Sequence, residues 1–282
     1  MAEILKGAPV AAALSESVRS EVEELKAQGI VPMLAIVRVG ERPDDLAYER
    51  GAVKRAEKVG VEVRSEVFPA DITEEEFFRE LDRINKDDAV HGILMFQPLP
   101  KHIDTAGARD RIDPAKDIDG CTAISMAGVF TNRPLGFPPC TAAAAMEILH
   151  YYGIDPKGKR AAVIGRSLVI GRPVAMMLMH ENATVTNCHT RTTDVPGITR
   201  TADILIAAAG VLRSVTPEYV NPDQIVIDVG INWDEKKGGI AGDVDFDVVE
   251  PVVKAITPVP GGVGSVTSTI LMKHVVEAAK RI

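Results

Sequence analysis

The sequence predicts an α/β fold in two runs, each alternating short apolar strands with helices. Three observations predict it. Apolar stretches closed by glycine recur between helically periodic segments, both before residue 100 and after residue 160. A turn holding two glycines separates a strand over 160–165 from a helix over 171–181. The chain has 282 residues, 46% of them hydrophobic but only 4% aromatic, enough for two moderate, aliphatic cores.

The elements follow in order. Val10, Leu14, Val18, Val22 and Leu25 recur at near-helical spacing, so a first helix is expected from about Pro9 to Lys26, ended by Gly29. "MLAIVRVG" (33–40) reads as a buried strand, and a second helix over about 45–59 leads to Gly60. "VEVRSEVF" (61–68) alternates as a strand does, and Thr73 with Glu76 makes a capping box for a helix to about Asn85. "VHGILMF" (90–96) is the next strand. Strands spaced by helices imply a parallel sheet. The second run supplies strands at 160–165, 183–188, 202–210 and 224–230, a helix at 171–181 with Pro173 in its first turn, and a helical tail after "TPVPGGVGS" (257–265).

Composition bounds the function. The net charge is −8 and no long basic run occurs, which argues against general nucleic-acid binding and against an anionic membrane surface. The first 22 residues are broken by Pro9 and followed by charges, unlike a signal peptide, and no run approaches the roughly 18 apolar residues of a membrane span. Cys121, Cys140 and Cys188 are too scattered for a disulfide framework or a zinc pattern, so a reducing, cytoplasmic setting is expected. The six histidines show no metal-ligand spacing, and no metal is expected.

"VIGRSLVIGRP" (163–173) carries the clearest chemistry. Glycine lets a backbone approach a phosphate, and a helix N-terminus offers free N–H groups and a positive dipole end. Arg166 and Ser167 add a guanidinium and a hydroxyl. The spacing differs from G-x-G-x-x-G, so an ordinary strand–helix turn remains the alternative on this pattern alone. The later strands also end in small residues, at Thr190, Gly210 and Gly230–Ile231, as ligand-binding strand ends do.

Taken together, "VIGRSLVIGRP", "KDIDG" (116–120), "PPCT" (138–141), "VIDVGIN" (226–232), "GDVDF" (242–246) and "TPVPGGVG" (257–264) resemble the methylenetetrahydrofolate dehydrogenase/cyclohydrolase family, in order and spacing, from near residue 8 onward. The resemblance implies a folate-binding domain of residues 1–142 and 266–282, a Rossmann-type domain of residues 143–265, a cleft between them, and a homodimer. It implies oxidation of 5,10-methylenetetrahydrofolate to the methenyl form and, commonly, hydrolysis onward to 10-formyltetrahydrofolate. By resemblance Tyr48 stacks on the folate and Asp119 hydrogen-bonds the pterin. Phe96, Gln97, Pro98 and Leu99 form a substrate wall, and Pro260, Gly261 and Gly262 lie along the folate. Gly165, Arg166, Ser167, Thr190, Gly210 and Ile231 match cofactor positions. From the residues alone, Tyr48 reads equally as a helix-face core residue and Asp119 as a turn former before Gly120.

Two positions depart from the family pattern. A lysine is expected four residues after the tyrosine, about 400° along a helix and so on the same face, but residue 52 is alanine. Lys54 lies about 240° round, and Arg55, nearer the Tyr48 face, stays protonated and is a poor base. The family glutamine before Leu-Pro-Leu-Pro is replaced by Phe96. Gln97 sits one place late and, in a strand, faces the other way. Hydride removal needs mainly positioning, whereas ring-opening hydrolysis needs activated water and proton transfer. The expectation is therefore a dehydrogenase with weak or absent cyclohydrolase activity. The bifunctional enzyme is the first alternative, and a non-catalytic folate- or nucleotide-binding protein the second. "CHTRT" (188–192) contains no carboxylate, Arg191 is adjacent to Thr190, and Arg166 lies in the glycine turn, which favours NADP over NAD.

Overall fold

A computed structural model describes residues 1–281. The chain divides into two compact units. Among the described residues, one comprises 13–140 and 268–281, the other 1–12 and 141–267.

The helices and strands are β1 (Glu3–Ile4), α1 (Gly7–Ala27), β2 (Met33–Val39), α2 (Pro43–Val59), β3 (Glu62–Phe68), α3 (Glu74–Asn85), β4 (Gly92–Met95), α4 (Thr105–Arg111), α5 (Ala123–Thr131) and α6 (Cys140–Tyr151), followed by β5 (Arg160–Ile164), α7 (Gly171–His180), β6 (Thr184–Cys188), α8 (Val195–Thr199), β7 (Ile204–Ala207), β8 (Ile225–Asp228), β9 (Asn232–Asp234), β10 (Gly239–Ala241), α9 (Phe246–Val249), β11 (Ala255–Ile256) and α10 (Gly264–Ala279).

In the first unit three parallel strands lie in the order β3-β2-β4. The central strand β2 is buried almost throughout, which is why "MLAIVRVG" reads as a continuous apolar run. The edge strand β3 is half exposed and alternates. The capping box of α3 forms as expected: the Thr73 hydroxyl accepts from the Glu76 amide at 3.2 Å, and the Glu76 carboxylate accepts from the Thr73 amide at 3.3 Å. Ala35, Val37, Phe77, Leu81, Ile84 and Ile93 fill the core beneath.

The second unit holds a six-stranded parallel sheet in the order β1-β11-β8-β7-β5-β6. From β5 the chain steps to β6 on one side and then to β7 on the other. The order therefore reverses at β5, and the carboxyl ends of β5 and β7 form a topological switch point, the usual ligand site of such sheets. The N-terminal segment differs from the expected division at residue 142. β1 extends this sheet by pairing with β11, and Gly7 donates its N–H to Gly261 O at 2.8 Å, so residues 1–12 belong with the six-stranded sheet. Two-residue strands carry no readable periodicity, and only this pairing reveals them.

Candidate active site

In the first unit the site is built from helix α2, the segment after β4 and the "KDIDG" turn. Tyr48 lies on α2 and is 46% exposed. The helix beside it is anchored by a nearly buried ion pair: Arg38 Nε donates to Glu49 Oε2 at 2.9 Å, Arg38 also donates to the Gly40 carbonyl, and Ser65 Oγ donates to Glu49 Oε1 at 2.6 Å. No sequence motif marks Arg38 or Glu49. Arg38 on β2 and Glu49 on α2 meet only where the helix packs beside the sheet, and Ser65 on β3 joins them there.

The Phe96 ring meets Tyr48 edge to face at 5.5 Å between centroids, and Phe96 is buried. Gln97 points elsewhere: its Oε1 accepts from Arg109 Nε at 2.8 Å and from a second guanidinium nitrogen of the same residue. The alternation expected at the end of β4 therefore holds, with Phe96 rather than Gln97 beside the tyrosine. Leu99 is buried, while Pro98 is exposed and its carbonyl accepts from Arg42 at 3.1 Å. Ala52 is buried, and Lys54 is exposed.

Asp119 is set by the "KDIDG" turn. Lys116 is buried and donates to the carbonyls of Asn85 at 2.7 Å and Asp87 at 2.8 Å, while its own carbonyl accepts from Ile93 N at 2.8 Å, tying the turn to β4. Asp117 accepts from the amides of Cys121 (2.9 Å) and Thr122 (2.8 Å). Gly120 has φ +65, and a Cβ there would stand 2.5 Å from Pro139 N and 2.6 Å from Phe137 O, so the turn presses directly on the "PPCT" loop. Desolvation first, and then the Asp117 carboxylate, push Asp119 up to about 6, although a hydrogen bond from the Cys140 thiol pulls the other way. The Tyr48 phenol is pushed up by desolvation and by Asp119. Its partial exposure screens that push, and the phenol is protonated at neutral pH either way.

In the second unit the glycine turn after β5 is a close-packed cradle. Gly165 has φ +127, and a Cβ there would lie 2.1 Å from Ala208 O; a Cβ on Gly171 would lie 2.3 Å from Gly165 O. Only glycine lets β5, β7 and the start of α7 approach so closely. Asn187 Nδ2 donates to Gly165 O at 2.9 Å, and Ser167 Oγ accepts from Ile170 N at 3.1 Å, where the helix has no side-chain cap. Arg166, Thr190, Arg191, Gly210 and Ile231 are all exposed at these strand ends. Two buried carboxylates shape the neighbouring loops. Asp228 accepts from the amides of Gly230, Asp243 and Val244 at 2.9, 3.1 and 2.9 Å; Asp243 accepts from Gly210 N at 2.8 Å and Asn232 Nδ2 at 2.9 Å. The motifs "VIDVGIN" and "GDVDF" thus converge in space. Beside them a cavity of about 300 Å³ is lined by Ile231, Pro260, Gly261 and Gly262 among others. Among the described residues no cluster of three metal-ligating side chains occurs, and no helix is long and apolar enough to cross a membrane.

The cradle a Cβ would fill, the uncapped start of α7 and the exposed arginines fit a dinucleotide phosphate, which defines the class: a two-part α/β protein with a nucleotide-binding unit. Comparisons define the family. Residues 5–119 match the tetrahydrofolate dehydrogenase/cyclohydrolase catalytic domain, and residues 139–282 match the NAD(P)-binding domain of the same family. The bifunctional protein FolD of Carboxydothermus hydrogenoformans is 53% identical over 99% of this chain and 98% of its own, and that of Alkaliphilus metalliredigens 50% identical over 100% and 99%. The crystal structure of the bifunctional FolD methylenetetrahydrofolate dehydrogenase/cyclohydrolase from Campylobacter jejuni superposes with a TM-score of 0.96 at 38% identity, covering 100% of this chain and 99% of that one. The Trypanosoma brucei enzyme, solved with NADP and an inhibitor, gives a TM-score of 0.91 at 38% identity over 99% and 98%. The chain belongs to the tetrahydrofolate dehydrogenase/cyclohydrolase family and is an enzyme of that family.

Proposed function

We propose that the protein oxidises 5,10-methylenetetrahydrofolate to 5,10-methenyltetrahydrofolate with NADP. The observation that carries this reading is the exposed Tyr48 ring set edge to face against the buried Phe96 ring in the first unit, with the Asp119 carboxyl near enough to act on the phenol and its own pKa raised to about 6. Tyr48 stacks on the folate, the charged Asp119 accepts from the pterin N–H groups, and Phe96 and Leu99 exclude water from the methylene carbon. Asp119 and Tyr48 act by binding and orientation, since the two folate nitrogens themselves stabilise the cation left when hydride departs. In the second unit Gly165, Ser167 and the start of α7 hold the pyrophosphate, and Arg166 and Thr190 meet the ribose 2′-phosphate. Gly210 and Ile231 border the nicotinamide, and Pro260, Gly261 and Gly262 border the folate. When bound, NADP accepts the hydride. Mixing protein, NADP and methylenetetrahydrofolate should give growing methenyl absorbance, with kcat/KM higher for NADP than for NAD. A flat trace overturns the reaction, and a preference for NAD overturns the cofactor.

For the second step, the relatives' common name as bifunctional proteins outweighs the two departures, and a dehydrogenase that is also a cyclohydrolase is the better-supported reading. Asp119 supplies a proton-exchanging group of suitable pKa for it. The rival reading, cyclohydrolase weak or absent, rests on Ala52 and on the apolar Phe96 ring against Tyr48. Hydrolysis of methenyltetrahydrofolate decides between them: clear acceleration over buffer removes the rival, and the bare buffer rate removes the bifunctional reading.

A further inference from the structure

His274, on α10, is only 4% exposed and has no part in the scheme above. Its Nδ1 lies 2.8 Å from the carbonyl oxygen of Ile118, the residue before Asp119. A carbonyl only accepts, so Nδ1 carries the proton and Nε2 is bare. Desolvation holds the ring's pKa down to about 4, so this neutral tautomer persists across the working pH range. The Phe137 ring packs on the imidazole at 5.0 Å between centroids, and the Arg281 guanidinium lies over Phe137 at 4.2 Å, so the imidazole has little freedom to turn.

The same Ile118 carbonyl lies 3.2 Å from Cys140 Sγ, which is 3.6 Å from His274 Nδ1. The thiol has one proton and two acceptors within reach, the Ile118 carbonyl and the Asp119 carboxylate. With an imidazole N–H already on the carbonyl, the thiol proton is free to turn to the carboxylate. The imidazole therefore fixes the peptide between Ile118 and Asp119 and biases the thiol toward the side chain that follows.

We propose that His274 is a positioning residue for the folate-binding carboxylate: its Nδ1–H locks the Ile118 carbonyl and thereby aims Asp119, without touching substrate. This rests on the assignment of folate to Asp119 made above.

The test uses the full-length protein and three substitutions. In His274→Asn the amide nitrogen occupies nearly the place of Nδ1 and keeps the donor. In His274→Gln the amide lies nearer the place of Nε2, and in His274→Leu no donor remains. KM for methylenetetrahydrofolate, KM for NADP, kcat, and the Kd of folate by calorimetry without turnover are measured for each. The loss of one hydrogen bond predicts folate KM and Kd raised about 3- to 10-fold in the Leu and Gln variants, with NADP KM and kcat within about twofold of the parent, and near-parental folate values in the Asn variant. The proposal is overturned if Asn is as weak as Leu toward folate, if folate and NADP KM rise together, or if no variant moves the folate Kd. Should the Leu variant fail to fold, the Asn and Gln pair decides alone. A parent that neither binds nor oxidises folate defeats the functional reading instead; an active parent with unaltered variants defeats only this inference.

Discussion

Asp119 is the residue at which burial and chemistry meet. An unperturbed aspartate titrates at about 3.9, whereas desolvation and Asp117 bring this one to about 6. Its charged form alone offers both oxygens as acceptors to pterin N–H groups, so kcat/KM for the folate should fall about tenfold per pH unit below about 6. Asp119→Asn should lower activity and flatten that limb; an unchanged limb would assign it to another group. The linkage to stability runs the other way: a carboxyl with a raised folded-state pKa contributes stability that is fully present below its unfolded value and lost as pH rises through about 6. His274 has the opposite sign. Its folded-state pKa is depressed to about 4, so its contribution is full above about 6.5 and is lost as pH falls toward 4, on the order of 3 kcal/mol. Melting temperature followed against pH should therefore fall less steeply on acidification in His274→Asn than in the parent. Phe96→Gln should sacrifice the edge-to-face contact with Tyr48, about 1 kcal/mol, and speed methenyltetrahydrofolate hydrolysis relative to the parent. An unchanged hydrolysis rate would show that this ring does not limit the second step.

At the scale of elements, the switch point of the six-stranded sheet depends on two missing Cβ atoms, at Gly165 and Gly171. Gly165→Ala would place a methyl group 2.1 Å from the Ala208 carbonyl at a φ of +127. The strain has no flexible side chain to absorb it, so we expect a loss of at least about 2 kcal/mol of stability and a weakened Kd for NADP. A variant that melts with the parent and binds NADP equally would refute the cradle. The Gly210 and Ile231 loops are shaped differently, by the buried Asp228 and Asp243 carboxylates gathering backbone amides.

At the scale of the whole molecule, the two units carry different ligands on the proposed reading. Hydrogen exchange should report this separately. NADP is expected to protect the amides of residues 165–172, 189–192 and 208–210, and folate those of residues 48–52 and 117–122. NADP at about 100 times its Kd should also stabilise its unit by about 2.7 kcal/mol. Protection of only the first unit by NADP would reverse the assignment.

The sequence by itself determined the elements whose periodicity is strong: β2, buried on both faces, α3 with its capping box, and the strand–turn–helix from β5 to α7. It also determined that Phe96 and Gln97 face opposite ways, because strand alternation is a local rule; that Phe96 is the one beside Tyr48 took the fold. The tertiary structure decided what depends on distant residues meeting. β1 joins the nucleotide-binding sheet through β11, Arg38 anchors α2 through Glu49, and His274 reaches the peptide before Asp119 from 156 positions away. None of these has a local signature, because a short strand, a buried ion pair and a single histidine gain their meaning from the partner. The raised pKa of Asp119 belongs with them: a carboxylate's type is written in the chain, but its desolvation is set by what the fold packs around it.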